Sequence, residues 1–169
     1  MAAAAAAAVH VHPLHIVLLL LISFCSAPSP PHTHRKNEVG EYCVYTAYVQ
    51  TGSIINGGTD STVILTLYDA YGYGIRINNL AAWGGLNVNY YNYFEPGNLD
   101  IFSGQGPCLP ATICAMNLTT SDGSDAWYCS YVQVTATGVN RPCTQRLFTV
   151  DQWLAADHHT LAAIRNLCS

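Results

Sequence analysis

Cysteine is the residue type in this sequence whose number and spacing predict a definite chemistry. The chain holds 7 cysteines, and an even number remains once Cys25, in the amino-terminal segment, is set aside. An even number in a chain that is exported indicates a disulfide framework, so we expect three disulfides. No C-x-x-C pair occurs, which argues against a zinc ribbon or a thioredoxin-like redox site. The cysteines expected to pair are Cys43, Cys108, Cys114, Cys129, Cys143 and Cys168.

The pairing of these cysteines stays open, because six cysteines allow about 15 connectivities. Cys108 and Cys114 flank a short loop that contains proline, so they are candidates for a local bridge. Cys43 and Cys168 stand at the two ends of the expected domain, and domain ends often lie close together. Both pairs are therefore hypotheses for the structure to test.

Groups for covalent or acid–base catalysis are scarce. After the amino-terminal segment, His158 and His159 are the available histidines; they are adjacent and near the carboxyl end, which favours solvated surface residues. The chain has no G-x-S-x-G, no phosphate loop and no H-E-x-x-H motif. No spacing pairs two carboxylates across a cleft, as glycoside hydrolysis requires. We therefore expect a protein that is not an enzyme, with an unrecognised hydrolase as the last alternative.

One modification motif is clear. Asn117-Leu118-Thr119 is an N-glycosylation sequon, and in a chain that enters the secretory pathway Asn117 is a credible acceptor.

The amino-terminal segment explains why export is expected. An apolar run, residues 16–24, is followed by Cys25, Ser26 and Ala27, which predicts a signal peptide over residues 1–25. The run is short for a membrane span, and an uncleaved anchor is the alternative. Residues 26–41 are rich in proline and polar residues and predict a disordered linker, so the folded domain is expected over 42–168. We expect the protein in the secretory pathway, either in the extracellular space or apoplast or in the endoplasmic reticulum.

Composition favours strands and turns. Charged residues make up 9% of the chain, whereas tyrosine and glycine number 11 and 13. The formal net charge of −4 disfavours nucleic acid as a partner, since a negative surface repels phosphates.

Short runs of β-branched and aromatic residues, separated by turn formers, predict seven or eight strands and hence an all-β antiparallel sandwich. Residues 81–97 predict a long connection that carries large apolar rings, and a short helix is expected within residues 157–166. The predicted strands span residues 43–49, 62–68, 74–80, 99–103, 113–118, 126–134 and 146–150.

Four of these segments, in this order along the chain, resemble the signature segments of PLAT (lipoxygenase-homology) domains. They are GGTDSTVILTLYDAYG from Gly57, NYFEPGNLDIFSG from Asn92, WYCSYVQVTATG from Trp127 and LFTVDQWL from Leu147. With the added cysteines, the chain is similar to the plant secreted embryo-specific or PLAT-plant-stress proteins. The resemblance implies a sandwich of two four-stranded sheets. It also implies a monomeric, non-catalytic module that binds a lipid, a membrane surface or a protein partner, with a role in stress or seed development.

The resemblance further implies calcium as a cofactor, because some PLAT domains are similar to calcium-dependent membrane binders. Asp60, Asn79 or its neighbour Asn78, and Asp100 occupy the corresponding loops and offer the oxygen ligands that calcium prefers. The alternative is that Asp60 and Asp100 only hydrogen-bond their own turns. Residues 122–125 lack the ligand pattern of an EF-hand loop and predict a plain polar turn.

For contact with lipid, the resemblance points to Trp83 and Leu86 in the AAWGGL segment. The alternative is that Trp83 fills the core. A second functional hypothesis, a carbohydrate-binding sandwich of the cell wall, rests on sugar rings stacking on Tyr90, Tyr91, Tyr93 and Phe94.

Overall fold

A computed structural model describes residues 41–87, 91–122, 124–155 and 161–169 of the chain. The expected signal peptide, residues 26–40 of the expected linker, and His158 and His159 lie outside the described residues. All described residues belong to one unit, Thr33–Ser169.

The described residues form antiparallel strands arranged in two four-stranded sheets. The first, sheet I, has the order β4-β1-β6-β7, and the second, sheet II, has the order β3-β2-β5-β8. The predicted sandwich of two four-stranded sheets is confirmed. The strands are β1 (Tyr42–Thr51), β2 (Val63–Asp69), β3 (Gly74–Ile77), β4 (Leu99–Pro107), β5 (Ile113–Thr120), β6 (Trp127–Gly138), β7 (Arg141–Leu154) and β8 (Ala162–Asn166); one short helix, α1 (Leu80–Gly84), follows β3.

The core lies between the sheets and is filled by inward-facing side chains, which in β1 alternate with outward-facing ones. In β1, Tyr45, Ala47 and Val49 are buried while their neighbours point outward. Trp127 of β6 has no exposed surface, and its indole Nε1 donates a hydrogen bond to Thr51 Oγ1 at 3.0 Å. A buried ring of this size removes about 150 to 250 Å² from water, so a few rings supply much of the driving force.

The carboxyl-terminal segment differs from its prediction. Residues 162–166 form β8 rather than part of a helix, and the helix prediction is wrong there. The strand pairs with β5, whose backbone groups would otherwise lack partners on that side. Arg165 then ties β8 to the opposite sheet by donating hydrogen bonds to Thr149 O at 2.8 Å and to Gln152 Oε1 at 2.7 Å.

The disulfides also differ from their prediction. Cys43 is bonded to Cys108 and Cys114 to Cys168, so neither suggested pair forms. Cys143 is disulfide-bonded as well. The expectation that all six cysteines pair is wrong for Cys129, which is a free thiol. The reason is its position: Cys129 is buried opposite Thr51 at the end of β1, whereas Cys43 lies at the start of that strand.

Antiparallel pairing gives the sandwich two ends. The loop end carries the connections 52–62, 78–98 and 121–126, and the disulfide end carries the connections 70–73, 108–112 and 139–140. Both named disulfides lie at the disulfide end, because Cys43 begins β1, Cys108 follows β4, Cys114 begins β5 and Cys168 follows β8.

Candidate functional site

The loop end contains a cavity of about 400 Å³ that we name the acidic cleft. Three acidic residues from separate loops line it: Asp60 before β2, Glu95 before β4 and Asp125 before β6. Asn56 and Gly58 add an amide side chain and a bare backbone segment to the wall. The cleft therefore concentrates negative charge at the point where three loops meet.

Asp125 fixes the geometry of the cleft. Its Oδ2 accepts hydrogen bonds from Thr59 Oγ1 at 2.7 Å, from Asp60 N at 2.7 Å and from Ser61 N at 3.1 Å. Desolvation raises the pKa of Asp125, but these hydrogen bonds to the charged form outweigh it, so the pKa lies below its usual value. All the hydrogen bonds that the carboxylate of Asp125 accepts from described residues reach Oδ2, which leaves the lone pairs of Oδ1 for another ligand.

The polar turn that contains Asp125 was predicted, but its role was not. Asp122 Oδ1 accepts from Ser124 N at 2.9 Å and from Ser124 Oγ at 2.8 Å, which is the local turn that the sequence suggested. Asp125 instead reaches across 66 positions of sequence to Thr59. A contact of that span has no local signal, so sequence reasoning missed Asp125 and, with it, Glu95.

A second cavity, of about 190 Å³, brings together two of the three residues predicted to bind calcium. Asp60 and Asn79 both line it, together with Asn92. Asn79 also begins α1 as its N-cap, since its Oδ1 accepts from Ala82 N at 2.9 Å. Asp60 borders both cavities.

Asp100, the third predicted calcium ligand, lines neither cavity. It has no exposed surface, and its Oδ2 accepts from Phe94 N at 2.7 Å. This bond holds Phe94 in a left-handed conformation, φ 62°, which non-glycine residues seldom adopt. Burial raises the pKa of Asp100, and among the described residues its Oδ1 has no hydrogen-bond partner. Asp100 is thus a buried structural carboxyl that holds its own loop.

The fit of a calcium ion can be judged from the donor set. Calcium takes about six to eight oxygen ligands, from carboxylates, amides and backbone carbonyls. Within the described ranges, no three His, Cys, Asp or Glu side chains form a group that could hold a metal by themselves. The donors around the acidic cleft are nevertheless all of the hard oxygen type. A cation there would need amide and backbone oxygens beside Asp60, Glu95 and Asp125.

Two apolar side chains at the loop end, Ile55 and Leu86, are exposed. Ile55 is 90% exposed and directly precedes Asn56, which lines the cleft. Leu86 is 61% exposed and lies beside β4, where its backbone N donates to Ile101 O at 3.4 Å. Of the two residues predicted to contact lipid, Leu86 is therefore available on the surface.

Trp83, the other residue predicted to contact lipid, is half-buried and packs against the core. Its indole lies over Gly104 of β4, where a Cβ would come within 2.5 Å of the ring atom Cε2. Only glycine at position 104 leaves room for the ring. Trp83 therefore packs against β4, as the alternative to lipid contact proposed.

The aromatic cluster proposed for sugar stacking is largely part of the core. Phe94 is 4% exposed, with its ring centroid 5.3 Å from that of Phe102 and 5.4 Å from that of Trp127. Tyr93 packs on Phe102 at 5.2 Å. Tyr91 is exposed, and Tyr90 lies outside the described residues. The stacking hypothesis is wrong for Phe94, because its ring is buried, and it stays a prediction for Tyr91 and for Tyr93, which is partly exposed.

Asn117 lies on the outer face of sheet II. It sits in the central strand β5, opposite Thr66 on one side and Ile164 on the other, and it is partly exposed.

Among the described residues, no helix is long and apolar enough to cross a membrane.

Comparison with known proteins gives a consistent family. Residues 45–166 match the model of the PLAT/LH2 domain. PLAT domain-containing proteins 2 and 1 of Arabidopsis thaliana are 51% and 52% identical over 130 residues, which is 75% of this chain and 71% and 72% of theirs. Coral 8R-lipoxygenase, whose crystal structure is described with calcium activation via a C2-like domain, superposes with a TM-score of 0.52 at 17% identity. The match covers 73% of this chain and 16% of the lipoxygenase, and it shows a shared fold.

Proposed function

The chain belongs to the PLAT/LH2 domain family, and on that premise we propose that it is a non-catalytic module that binds a lipid or membrane surface through its loop end. The observation that carries this proposal is the side-by-side placement of the acidic cleft and Ile55, which is 90% exposed. An apolar side chain so exposed, next to a concentrated negative charge, suits a surface that is completed by a cation and a lipid bilayer.

The energetics require two contributions. Full burial of one isoleucine side chain in lipid is worth about 1.5 to 3 kcal/mol, which is too little for stable binding to a membrane. The cleft alone would repel anionic headgroups, since the protein carries a net charge of −4. A divalent cation between cleft and headgroup removes that repulsion and adds attraction. Membrane binding is therefore proposed to depend on calcium.

Within this proposal, the carboxylates of Asp60, Asp125 and Glu95 would hold the calcium, helped by amide oxygens such as that of Asn56. When bound, the ion supplies positive charge for a phosphate group. Asp125 keeps the loops in place whether or not an ion is present, because its Oδ2 is fully engaged. Asp100 is left out of this set, since it is buried away from both cavities. The coral lipoxygenase supports the proposal as a protein of the same fold with calcium activation via its C2-like domain.

We also propose that the protein acts in the secretory pathway, as a monomer, with the stress or seed role that the family resemblance implies. Supporting this are the signal-peptide pattern of residues 1–25, the disulfides Cys43–Cys108 and Cys114–Cys168, and the partly exposed Asn117 in its sequon. A shift in electrophoretic mobility on treatment with an endoglycosidase, absent from Asn117→Gln, would establish passage through the endoplasmic reticulum. An unshifted wild-type protein would contradict occupancy of Asn117.

The test of the main proposal is co-sedimentation with vesicles of phosphatidylcholine, with and without phosphatidylserine, in calcium or in chelator. The full chain is expressed in a secreting host. Asp60→Asn removes a carboxylate that accepts no hydrogen bond from another described residue, so the fold should be preserved. Ile55→Ser removes the exposed apolar group, and Leu86→Ser removes the group predicted from sequence. Tyr71→Ser, at a residue 74% exposed at the disulfide end, is the matched control.

We expect binding only with calcium and phosphatidylserine together. Asp60→Asn should abolish it, and Ile55→Ser should weaken it about tenfold or more, as loss of a buried aliphatic side chain requires. Tyr71→Ser should bind like the wild type. Absence of binding in calcium, or equal binding by all variants, would contradict the proposal and direct attention to a protein partner.

A further inference from the structure

The outer face of sheet I is a second surface with a distinctive composition. Alternation along β1 places Val49 in the core and Tyr48 and Gln50 on the outer face. The register then sets Gln133 of β6 opposite Tyr48 and Tyr131 opposite Gln50. Rings and amides thus alternate across the two central strands of the sheet.

The rings follow a diagonal across the face. Tyr48 and Tyr131 lie on adjacent strands and are offset by two residues, a placement that separates Cα atoms by about 7 to 8 Å. Tyr128 and Trp153, which are cross-strand partners, continue the line toward the loop end with ring centroids 5.5 Å apart. The diagonal therefore offers several aromatic groups in a row rather than one isolated ring.

The three rows of residues that cross the middle of this face carry no charge. Asp151 of β7, which is exposed, lies between Thr149 and Trp153 next to the loop-end part of the diagonal. Three rows of cross-strand partners pass through Thr46, Tyr48 and Gln50, and each row crosses all four strands of sheet I. No Asp, Glu, Lys or Arg belongs to these rows. By contrast, Arg76 of sheet II lies on its outer face opposite Thr66, and the acidic cleft occupies the loop end.

Several polar groups on the face have no hydrogen-bond partner in the part of the chain that the structure describes. Among the described residues, the side chains of Tyr48, Tyr131, Gln133 and Thr135 make no hydrogen bond to another residue, and all four are partly exposed. Gln50 is different, since its Nε2 donates to Gly97 O and Asn98 O, both at 3.0 Å. The side chain of Gln50 is thus held in place by its hydrogen bonds, whereas the hydroxyl and amide groups of the other four side chains are available to a ligand.

We propose that the outer face of sheet I binds a neutral polysaccharide, with pyranose rings over Tyr131 and Tyr48 and sugar hydroxyls on Gln133 and Thr135. Sugar C–H groups carry partial positive charge and match the negative face of an aromatic ring. Sugar hydroxyls donate and accept, as amide and hydroxyl side chains do. An anionic membrane or nucleic acid would instead require cationic side chains, which these rows lack. An extended chain also suits a sheet face better than a small ligand, which needs a concave pocket.

This site is separate from the loop end and needs no calcium. If the protein failed to bind membranes, the proposal of glycan binding would therefore still stand or fall on its own test. The experiment is affinity gel electrophoresis and pull-down of the full secreted chain with xyloglucan, mixed-linkage β-glucan and insoluble cellulose, with polygalacturonate as the charged comparison. All assays run in calcium and in chelator. The variants are Tyr131→Ala, Tyr48→Ala, the ring-conserving Tyr131→Phe, and Thr135→Glu, which adds charge without removing a ring. Tyr71→Ala is the control at an exposed ring on the disulfide end.

We expect binding to at least one neutral glycan, equal in calcium and chelator. Loss of a stacked ring in Tyr131→Ala or Tyr48→Ala should weaken it about tenfold. Tyr131→Phe should bind within about threefold of the wild type, and Thr135→Glu should bind weakly while its thermal unfolding is unchanged. Absence of binding to every neutral glycan would overturn the proposal. So would wild-type binding by the Ala variants, or a wild-type dimer that Tyr131→Ala converts to monomer, which would make the face an interface between copies.

Discussion

The two ends of the sandwich are held by different chemistry. At the disulfide end, Cys43–Cys108 and Cys114–Cys168 fasten the strand ends covalently. At the loop end, Asp125 joins two loops through hydrogen bonds to Thr59, Asp60 and Ser61. Covalent bonds are insensitive to pH and ions in an oxidising compartment, whereas a carboxylate responds to both. The loop end is therefore the end whose order can change with conditions.

Polar contacts reinforce the disulfide end. The hydroxyl of Tyr45 donates to Pro107 O at 2.7 Å and accepts from Leu109 N at 3.1 Å, beside the Cys43–Cys108 bond. Arg141 forms an ion pair with Glu41 at 2.8 Å and donates to Leu109 O at 2.9 Å. These contacts hold the 108–112 connection against β1. The comparison between the ends predicts that stability depends most on the disulfides and least on the loops.

The largest expected effect comes from removal of a disulfide. Cys43 and Cys108 are separated by 65 positions, and closing a loop of that length restricts the unfolded chain by about 4 kcal/mol in the entropy model. Cys43→Ser with Cys108→Ser should lower the free energy of unfolding by roughly that amount, measured by urea denaturation. The matched control is Cys114→Ser with Cys168→Ser, whose separation of 54 predicts nearly the same loss. A loss below about 1 kcal/mol in both would show that the disulfide end is held by packing instead.

A smaller effect is expected at the loop end. Asp125→Asn keeps the shape of the side chain but weakens charge-assisted bonds to Asp60 N and Ser61 N. Because Asp125 is partly exposed, we expect a loss of about 1 to 2 kcal/mol. Amide hydrogen exchange should show faster exchange at residues 60 and 61. Asp122→Asn lies within the same turn, but the carboxylate of Asp122 accepts only from Ser124, so this variant should leave those amides protected. Equal exposure in both variants would refute the special role of Asp125.

The two ends also differ in how far sequence predicted them. The strands were predicted from local alternation, and the sandwich was predicted from the four segments that resemble PLAT domains. Both predictions depend on residues that lie close together in the chain. Asp60 and Asn79 were found because both belong to loops that the resemblance marked. Asp125 was missed since its partners lie 64 to 66 positions away. The contacts that complete the loop end exist only in the folded chain.

The disulfide framework shows the same limit. The count of cysteines predicted bridges, but it carried no information on which side chains face inward. Cys129 alternates with the buried strand positions of β6, so the pattern that predicted the strand already implied its burial. Burial alone does not separate Cys129 from the other cysteines, since Cys43 and Cys114 are buried too. Its place opposite Thr51, at the other end of β1 from Cys43, follows only from strand pairing. The β8 strand was missed for another reason: five residues are too few to show a clear period.

The next prediction uses pH to separate two carboxyls of the loop end. Burial raises the pKa of Asp100 above its ordinary value of 3.8. The folded protein therefore keeps a proton that the unfolded chain has released, so Asp100 contributes stability that is complete below pH 3.8 and is lost as pH rises through the folded pKa. Asp125, whose pKa is lowered, contributes stability that is lost as pH falls.

Asp100→Asn should remove the first of these dependences. Between about pH 4 and 7, the unfolding free energy of this variant should gain on that of the wild type as pH rises, because an amide cannot ionise. Asp125→Asn should instead fall further behind as pH rises through the range below about pH 4, and its deficit should then stay constant up to pH 7, because the pKa of Asp125 is lowered from 3.8 by folding. Urea denaturation at a series of pH values checks both slopes. Parallel curves for wild type and Asp100→Asn would mean that Asp100 is already ionised without penalty in the folded protein.

The smallest expected effect is the absence of a reaction. The thiol of Cys129 lies between the two sheets, toward the loop end, and burial, helped by the charge of Asp151, raises its pKa far above the usual range. A thiol that is neither ionised nor exposed does not react with maleimide. We expect the peptide that contains Cys129 to be labelled after unfolding in denaturant and to stay unlabelled in the native protein, as shown by mass spectrometry. Rapid native labelling would mean that the sheets open locally near the loop end, and discovery of Cys129 in a disulfide would restore the framework that the cysteine count predicted.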